Sequence, residues 1–333
     1  MISRLSQLAR HLSGPRSSLG RISTTVTSGS RSSGMASRIM ASAEDRDTRT
    51  IHTAACLIIG DEVLGGKTTD TNSAYMAKWC FSLGINLKRV EVVEDDEDEI
   101  IEAVRRMSDR YDLVVTSGGI GPTHDDITYQ SIAKAFGLEL ILHEEAYERM
   151  KKLTRPHKSH ADFSWDVESP AKTARLRMVR LPIDESRDLA KQALFCRDNL
   201  WVPISVVNGN VHILPGVPRL FESLLEGLKP FIIDRLVDPE GKGICRVIIS
   251  TPLGESAIAD YLTELAAKVA PQGVKVGSYP RWGKKNNSVT LVGRNREYLE
   301  SLVPEVVEKV KGKRVDVEGE DDEPEVPAPK PTS

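Results

Sequence analysis

No apolar run in this 333-residue chain approaches the roughly 18 residues needed to cross a bilayer, so the body is expected to be soluble and without a membrane partner. Cysteine is scarce. Cys56, Cys80, Cys196 and Cys245 are scattered without a CxxC pair, which argues against zinc sites and a disulfide framework. They read as buried or free thiols in a reducing compartment. No G-x-G-x-x-G follows an apolar run, which speaks against a dinucleotide-binding Rossmann turn, and "DEVLGGKT" (61–68) fails as a P-loop because Asp61 stands where its first glycine belongs. Acid is absent from residues 1–43, which instead hold six arginines and twelve serines, with Ile2, Leu5, Leu8 and Leu12 near helical spacing. That is the make-up of a mitochondrial transit peptide, addressed to the matrix, with Met35 as a second start for a cytosolic form. The formal net charge of -3 therefore divides into +6 at the front and -9 elsewhere (-3 minus 6). An acidic body does not suggest a nucleic-acid partner.

What is present, from Ala54 on, is the alternation of an α/β fold with a parallel sheet in three layers. "AACLIIG" (54–60) is a continuous apolar run, as in a strand covered on both faces. Helix 72–84, opened by Asn72 as N-cap, strand 86–93, helix 99–110, strand 112–119, helix 128–137, strand 138–142 and a helix over 143–153 follow. Residues 154–175, with His157 and His160, read as a polar surface excursion; strand 211–216 and helix 219–236 close the domain, with Pro230 expected to kink the helix. The expected organisation is a transit peptide over 1–43, a linker over 44–52, the main domain over 53–236, a small α+β domain over 244–311, and a solvated acidic tail over 312–333.

In a parallel α/β sheet, ligands bind beyond the carboxyl ends of the strands. Four loops are expected on that edge: Asp61 and Glu62 after the first strand, Asp95 and Asp96 after the second, Ser117 to Asp126 after the third, and Pro215 and Gly216 after the fourth. In "SGGIGPTHDDIT" (117–128), Gly118, Gly119 and Gly121 bare backbone N–H groups to an anion, and the following helix adds its positive end. Phosphate fits that cradle, with Ser117, Thr123, Lys67 and Asn72 as further ligand contacts. Asp61, Glu62, Asp95, Asp96, Asp125 and Asp126 would repel it unless a divalent cation such as Mg²⁺ or Co²⁺ lay between. Asp61, Glu62, Asp95, Asp96 and Asp126 are thus candidate metal ligands, and Asp125, Asp126 and His124 candidate catalytic groups. Each piece has a plainer alternative: a tight turn for "GGIG", helix capping for Asp126 and Thr128, and a solvated helix start for residues 94–99.

The stretches 58–96, 112–137 and 211–218 together resemble the MoaB/Mog molybdopterin-binding domain, in the form found in CinA proteins and at the N-terminus of eukaryotic FAD synthase. "VGSYPRWG" (276–283) is similar to the unit that follows it in those proteins. The resemblance implies a glycine loop that holds a molybdopterin phosphate, with Gly118, Gly119, Gly121, Asp126 and Asp95 or Asp96 in the family's roles. It equally implies metal-dependent cleavage of a diphosphate bond in FAD or ADP-ribose, and a dimer or trimer. No room is expected for an adenylyltransferase domain after the small unit. Three functions follow as expectations: a nucleotide diphosphatase, a molybdopterin-binding protein of cofactor synthesis, or a non-catalytic nucleotide-binding or assembly protein.

Overall fold

The computed structural model describes residues 41–154, 163–239 and 243–322. Most of the expected leader, together with His157 and His160, lies outside the described residues. The expected linker carries structure. Ser42 and Asp45 form a reciprocal capping box that opens helix α1 (Ala43–Thr48), and Arg46 is buried on Asp109 at 2.9 Å. Ile51 is fully buried and bridges to Leu236.

Strand β1 (Thr53–Ile59) is buried along almost its whole length, as its unbroken apolar run requires. A short helix, α2 (Asp61–Leu64), follows it, then α3 (Asn72–Ser82), β2 (Asn86–Val93), α4 (Glu97–Arg110), β3 (Leu113–Ser117) and α5 (Thr128–Phe136). Helix α4 buries Ile100, Ile101, Val104 and Met107, the apolar positions of its 3.6-residue period. Helix α5 ends on Gly137 at φ 66, the left-handed closure that glycine supplies. The chain continues through β4 (Glu139–Leu142), α6 (Glu144–Leu153), α7 (Pro170–Arg177), β5 (Arg180–Ile183), β6 (Ala193–Leu194), β7 (Ile204–Val207), β8 (Val211–Leu214) and α8 (Pro218–Ile232).

The main sheet has the order β2-β1-β3-β8-β7-β6. Its first four strands are parallel, while β7 and β6 are an antiparallel extension. Helices α3 and α8 pack together, as do α4 and α5, so the sheet lies between two helical layers. Strand β4 belongs elsewhere: it pairs antiparallel with β5 in a two-stranded ribbon. Pro230 lies inside α8, which runs on to Ile232 before a short 3₁₀ turn.

A second sheet, β10-β11-β9-β12, is antiparallel throughout. It comprises β9 (Cys245–Thr251), β10 (Lys275–Tyr279), β11 (Asn287–Gly293) and β12 (Lys313–Val315), with helices α9 (Glu255–Val269) and α10 (Arg296–Lys309) packed on it. Its core, built on Val247, Ile249, Leu265, Val289, Leu291 and Val306, is separate from that of the larger sheet. The expected tail over 312–333 is in part integral to this unit. Strand β12 pairs with β9, the Asp321 carboxylate accepts from Ser250 and Asn286, and Asp322 pairs with Arg281. Among the described residues no helix is long and apolar enough to cross a membrane. Cys56 and Cys80 are buried free thiols, and burial pushes the Cys80 thiol up to about 12.

Candidate functional site

Because β1, β2, β3 and β8 run parallel, the loops after them leave one edge of the sheet together. Two are tied directly. The Asp61 N–H donates to Asp95 Oδ2 and the Asp95 N–H donates to Asp61 Oδ1, each at 3.1 Å. This reciprocal pair spends one oxygen of each carboxylate and leaves the other without a hydrogen bond among the described residues. The glycine loop abuts it: a Cβ on Gly119 would lie 3.5 Å from Asp95 Oδ1. Glu62 turns its carboxylate back towards Gly60 on the same loop as Asp61.

The glycine loop is braced from within. Asp126 Oδ1 accepts the Gly121 N–H at 2.6 Å, and Oδ2 accepts the N–H and hydroxyl of Thr123 at 2.8 and 2.5 Å. The Gly118 N–H donates to Leu214 O at 3.2 Å, and the Thr128 hydroxyl donates to Gly118 O at 2.9 Å. Two of the three expected cradle amides, those of Gly118 and Gly121, are therefore already committed. The amides of Gly119 and Ile120 have no partner among the described residues. Gly118 at φ 116 and Gly119 at φ 64 make the turn that presents them.

Asn72 is not the N-cap expected of it. It lies in the first turn of α3 with its side chain buried, and Nδ2 donates to Ser117 Oγ and to Gly216 O, both at 2.9 Å. One amide thus ties the β3 loop to the β8 loop, where a Cβ on Gly216 would come within 3.2 Å of Gly118 Cα. Ser117 is buried by this contact, so its hydroxyl serves the frame, as does buried Pro215. Replacing Asn72 by Ala is expected to lower stability by about 1–3 kcal/mol, since the buried Ser117 hydroxyl and the part-buried Gly216 carbonyl lose their donor. Urea unfolding of the variant measures it; an unchanged midpoint would remove Asn72 from the frame.

The acids are not all available. Asp96 caps α4, its Oδ1 accepting from the N–H groups of Asp98 and Glu99, and both oxygens of Asp126 accept bonds from within the glycine loop. The expected five-carboxylate metal set is therefore not gathered, and no group of three His, Cys, Asp or Glu poised for a metal occurs among the described residues. Asp61 and Asp95 are in direct contact, and Glu62 and Asp125 act on Asp95 through their charge. Burial raises the Asp95 carboxyl above its ordinary range, the Asp61 N–H opposes this, and the charges of Asp61, Glu62 and Asp125 add to the rise. Asp125 is held low by the nearby Thr123 hydroxyl and its own backbone, with His124 and Arg177 adding attraction. That hydroxyl has one proton to give, and its 2.5 Å contact is with Asp126. His124 is fully open to solvent, 3.9 Å from Asp125, and Lys67 is exposed with no partner among the described residues.

Arg177, at the end of α7, joins the site without a signal in the sequence. Its Nη2 reaches the Asp126 carbonyl at 3.5 Å, bringing a cation to the glycine loop. The helix that carries it has a legible start, Ser169 as N-cap with Pro170 in the first turn, but nothing in its spacing points towards the loop.

A family profile described as a probable molybdopterin binding domain matches residues 55–234, and one described as the FAD synthase middle domain matches residues 244–318. The chain is 33% identical over 264 residues to the probable FAD synthase of Caenorhabditis elegans, a match covering 78% of this chain and 50% of that protein. It is 32% identical over 256 residues to the probable FAD synthase of Caenorhabditis briggsae, covering 75% and 48%. The chain thus spans about half the length of these curated relatives. Similar solved structures include the protein CinA, of unknown function, from Thermoplasma acidophilum (34% identity, 55% of this chain and 98% of that one, TM-score 0.44). The molybdopterin biosynthesis enzyme MoaB from Thermus thermophilus is another (18% identity, 55% and 93%, TM-score 0.36).

Proposed function

The chain belongs to the probable molybdopterin binding domain family, with an FAD synthase middle domain after it, and from that premise we propose that it hydrolyses the diphosphate of FAD or ADP-ribose with a divalent cation. The observation that carries the proposal is the Asp61–Asp95 lock, which holds two carboxylates against Gly119 of the glycine loop, where the amides of Gly119 and Ile120 have no partner among the described residues. The naming of relatives as probable FAD synthases supports a flavin nucleotide as the substrate.

The donor set fits a hard cation. Mg²⁺ is commonly held by one or two carboxylates together with phosphate oxygens and water, so a two-carboxylate platform completed by the substrate suffices. Asp61 and Asp95 would hold it, with Glu62 beside them. When bound, the cation supplies Lewis-acid polarisation of a phosphoryl oxygen. The amides of Gly119 and Ile120 stabilise negative charge on that phosphate as it develops. Of the groups expected to move protons, Asp126 is spent on the loop. Asp125, with His124 next to it, is left to take the proton of the attacking water. Water forms a new O–P bond while the bridging P–O bond breaks; FAD then yields AMP and FMN, and ADP-ribose yields AMP and ribose 5-phosphate.

Purified protein is expected to release AMP from FAD or ADP-ribose in the presence of Mg²⁺ or Co²⁺, and to stop on chelation with EDTA. Chromatography of the products measures this. Binding of either nucleotide without AMP release under any divalent ion would refute the hydrolase. Co-purification of an oxidised, fluorescent pterin would instead favour a molybdopterin ligand, the reading that the family description supports. We also propose a mitochondrial location, on the acid-free, arginine-rich leader, and a homo-oligomer, on the resemblance to MoaB/Mog proteins.

A further inference from the structure

Arg177 is half-buried, yet its guanidinium makes a single hydrogen bond among the described residues, to the Asp126 carbonyl at 3.5 Å. That distance is the outer limit for such a bond, and an arginine has five N–H donors. It also makes no ion pair among the described residues, although its charge is felt at Asp125. A partly desolvated guanidinium normally sits against a carboxylate or phosphate in a two-bond fork. Here the guanidinium reaches the loop that carries the Gly119 and Ile120 amides, with no carboxylate against it among the described residues.

The helix behind it is anchored. Ser169 caps α7 by accepting the Lys172 N–H, and Arg175 lies 3.8 Å over the Phe163 ring and 5.5 Å from the Trp165 ring centre. Residues two apart on a helix face different ways, so the aromatic clasp on Arg175 leaves Arg177 free to face the loop. Neither cation expected from the sequence is so placed: Lys67 is exposed on a flexible stem, and His124 is 97% exposed.

We propose that Arg177 is the residue that grips the phosphoryl groups of the ligand at the glycine loop, leaving the Asp126 carbonyl to form a two-bond fork with the diphosphate. This rests on the diphosphate reading above. It assigns α7, an element outside the sheet edge that carries the acids and amides, the task of discriminating phosphorylated from unphosphorylated ligands.

The test is equilibrium binding of ADP-ribose, AMP and adenosine, in EDTA so that ADP-ribose is not turned over, to the full chain, its Arg177→Met variant and its Arg177→Lys variant, with unfolding curves for each. Arg177→Met is expected to weaken ADP-ribose binding about ten- to a hundredfold while leaving adenosine unchanged. Arg177→Lys should recover only part of the loss, because an ammonium is a point charge without the fork. Equal ADP-ribose affinity in the original chain and Arg177→Met would overturn the inference. So would an equal loss for all three ligands, which marks a purely structural role. If Arg177→Met does not fold, a full-strength ADP-ribose preference in Arg177→Lys overturns it and a reduced one supports it. If the unsubstituted chain itself shows no preference for ADP-ribose over adenosine, the diphosphate reading falls first.

Discussion

Replacing Gly118 by Ala is expected to destabilise the main domain by about 4 kcal/mol or more, and to abolish ligand binding with it. Two independent effects add. The backbone stands at φ 116, where an L-residue is strained by about 1–3 kcal/mol. The new Cβ would also lie 2.1 Å from the Ile59 carbonyl oxygen, a backbone atom at the end of β1 that cannot swing aside. Relief requires β1 and β3 to separate where the acid loop and the glycine loop leave the sheet. Gly137 is the control. It too has positive φ, 66, but nothing lies within 4 Å of its Cβ position, so Gly137→Ala should cost only about 1 kcal/mol. Urea unfolding of both variants measures the contrast. Equal losses would mean that the close approach of Gly118 to β1 does not exist, and the site would lose its frame.

That contrast also explains what was legible in the chain. Glycines and apolar runs report backbone demands, so β1, β3, the loop between β3 and α5, and the common edge of four loops could be read from "AACLIIG" and "SGGIGPTHDDIT". Division of labour among the acids could not. Asp95 and Asp96 are neighbours of the same type, yet one locks to Asp61 across 34 positions of sequence while the other caps the helix it precedes. Their difference arises from the turn between β2 and α4, which local composition does not encode. Asp126 is a similar case: a carboxylate in a glycine loop reads equally as a ligand or a brace, and the bonds to Gly121 and Thr123 make it a brace. Strands β6 and β7 lie in a segment without clear periodicity, and the strand pattern of β4 does not name β5 as its partner. Arg177 was not legible either: β5, which follows α7, pairs with β4, which precedes it, and nothing in local composition places the Arg177 guanidinium on the Asp126 carbonyl.

The carboxylates that remain face a conflict between stability and function, and Asp95→Asn should expose it. Asp95 has its pKa raised by burial and by the charges of Asp61, Glu62 and Asp125. A carboxyl with a raised folded-state pKa contributes stability below its unfolded value, 3.8, and loses that contribution as pH rises through the folded value. At neutral pH its ionised form therefore works against folding until a cation offsets the surrounding charge. Asn keeps an oxygen to accept the Asp61 N–H and removes the charge. The ligand-free variant is accordingly expected to be at least as stable as the original chain at pH 7, with the difference shrinking as pH falls into the carboxylate range. Its Mg²⁺-dependent release of AMP should drop by about a hundredfold or more, because one of the two spare oxygens that would meet the cation is replaced by an amide. Thermal unfolding across pH, run beside the AMP assay, separates the two effects. A variant that is less stable at pH 7 but hydrolyses nucleotide at the original rate would show that the Asp61–Asp95 lock is a structural clasp, and the cation would have to be sought elsewhere on the sheet edge.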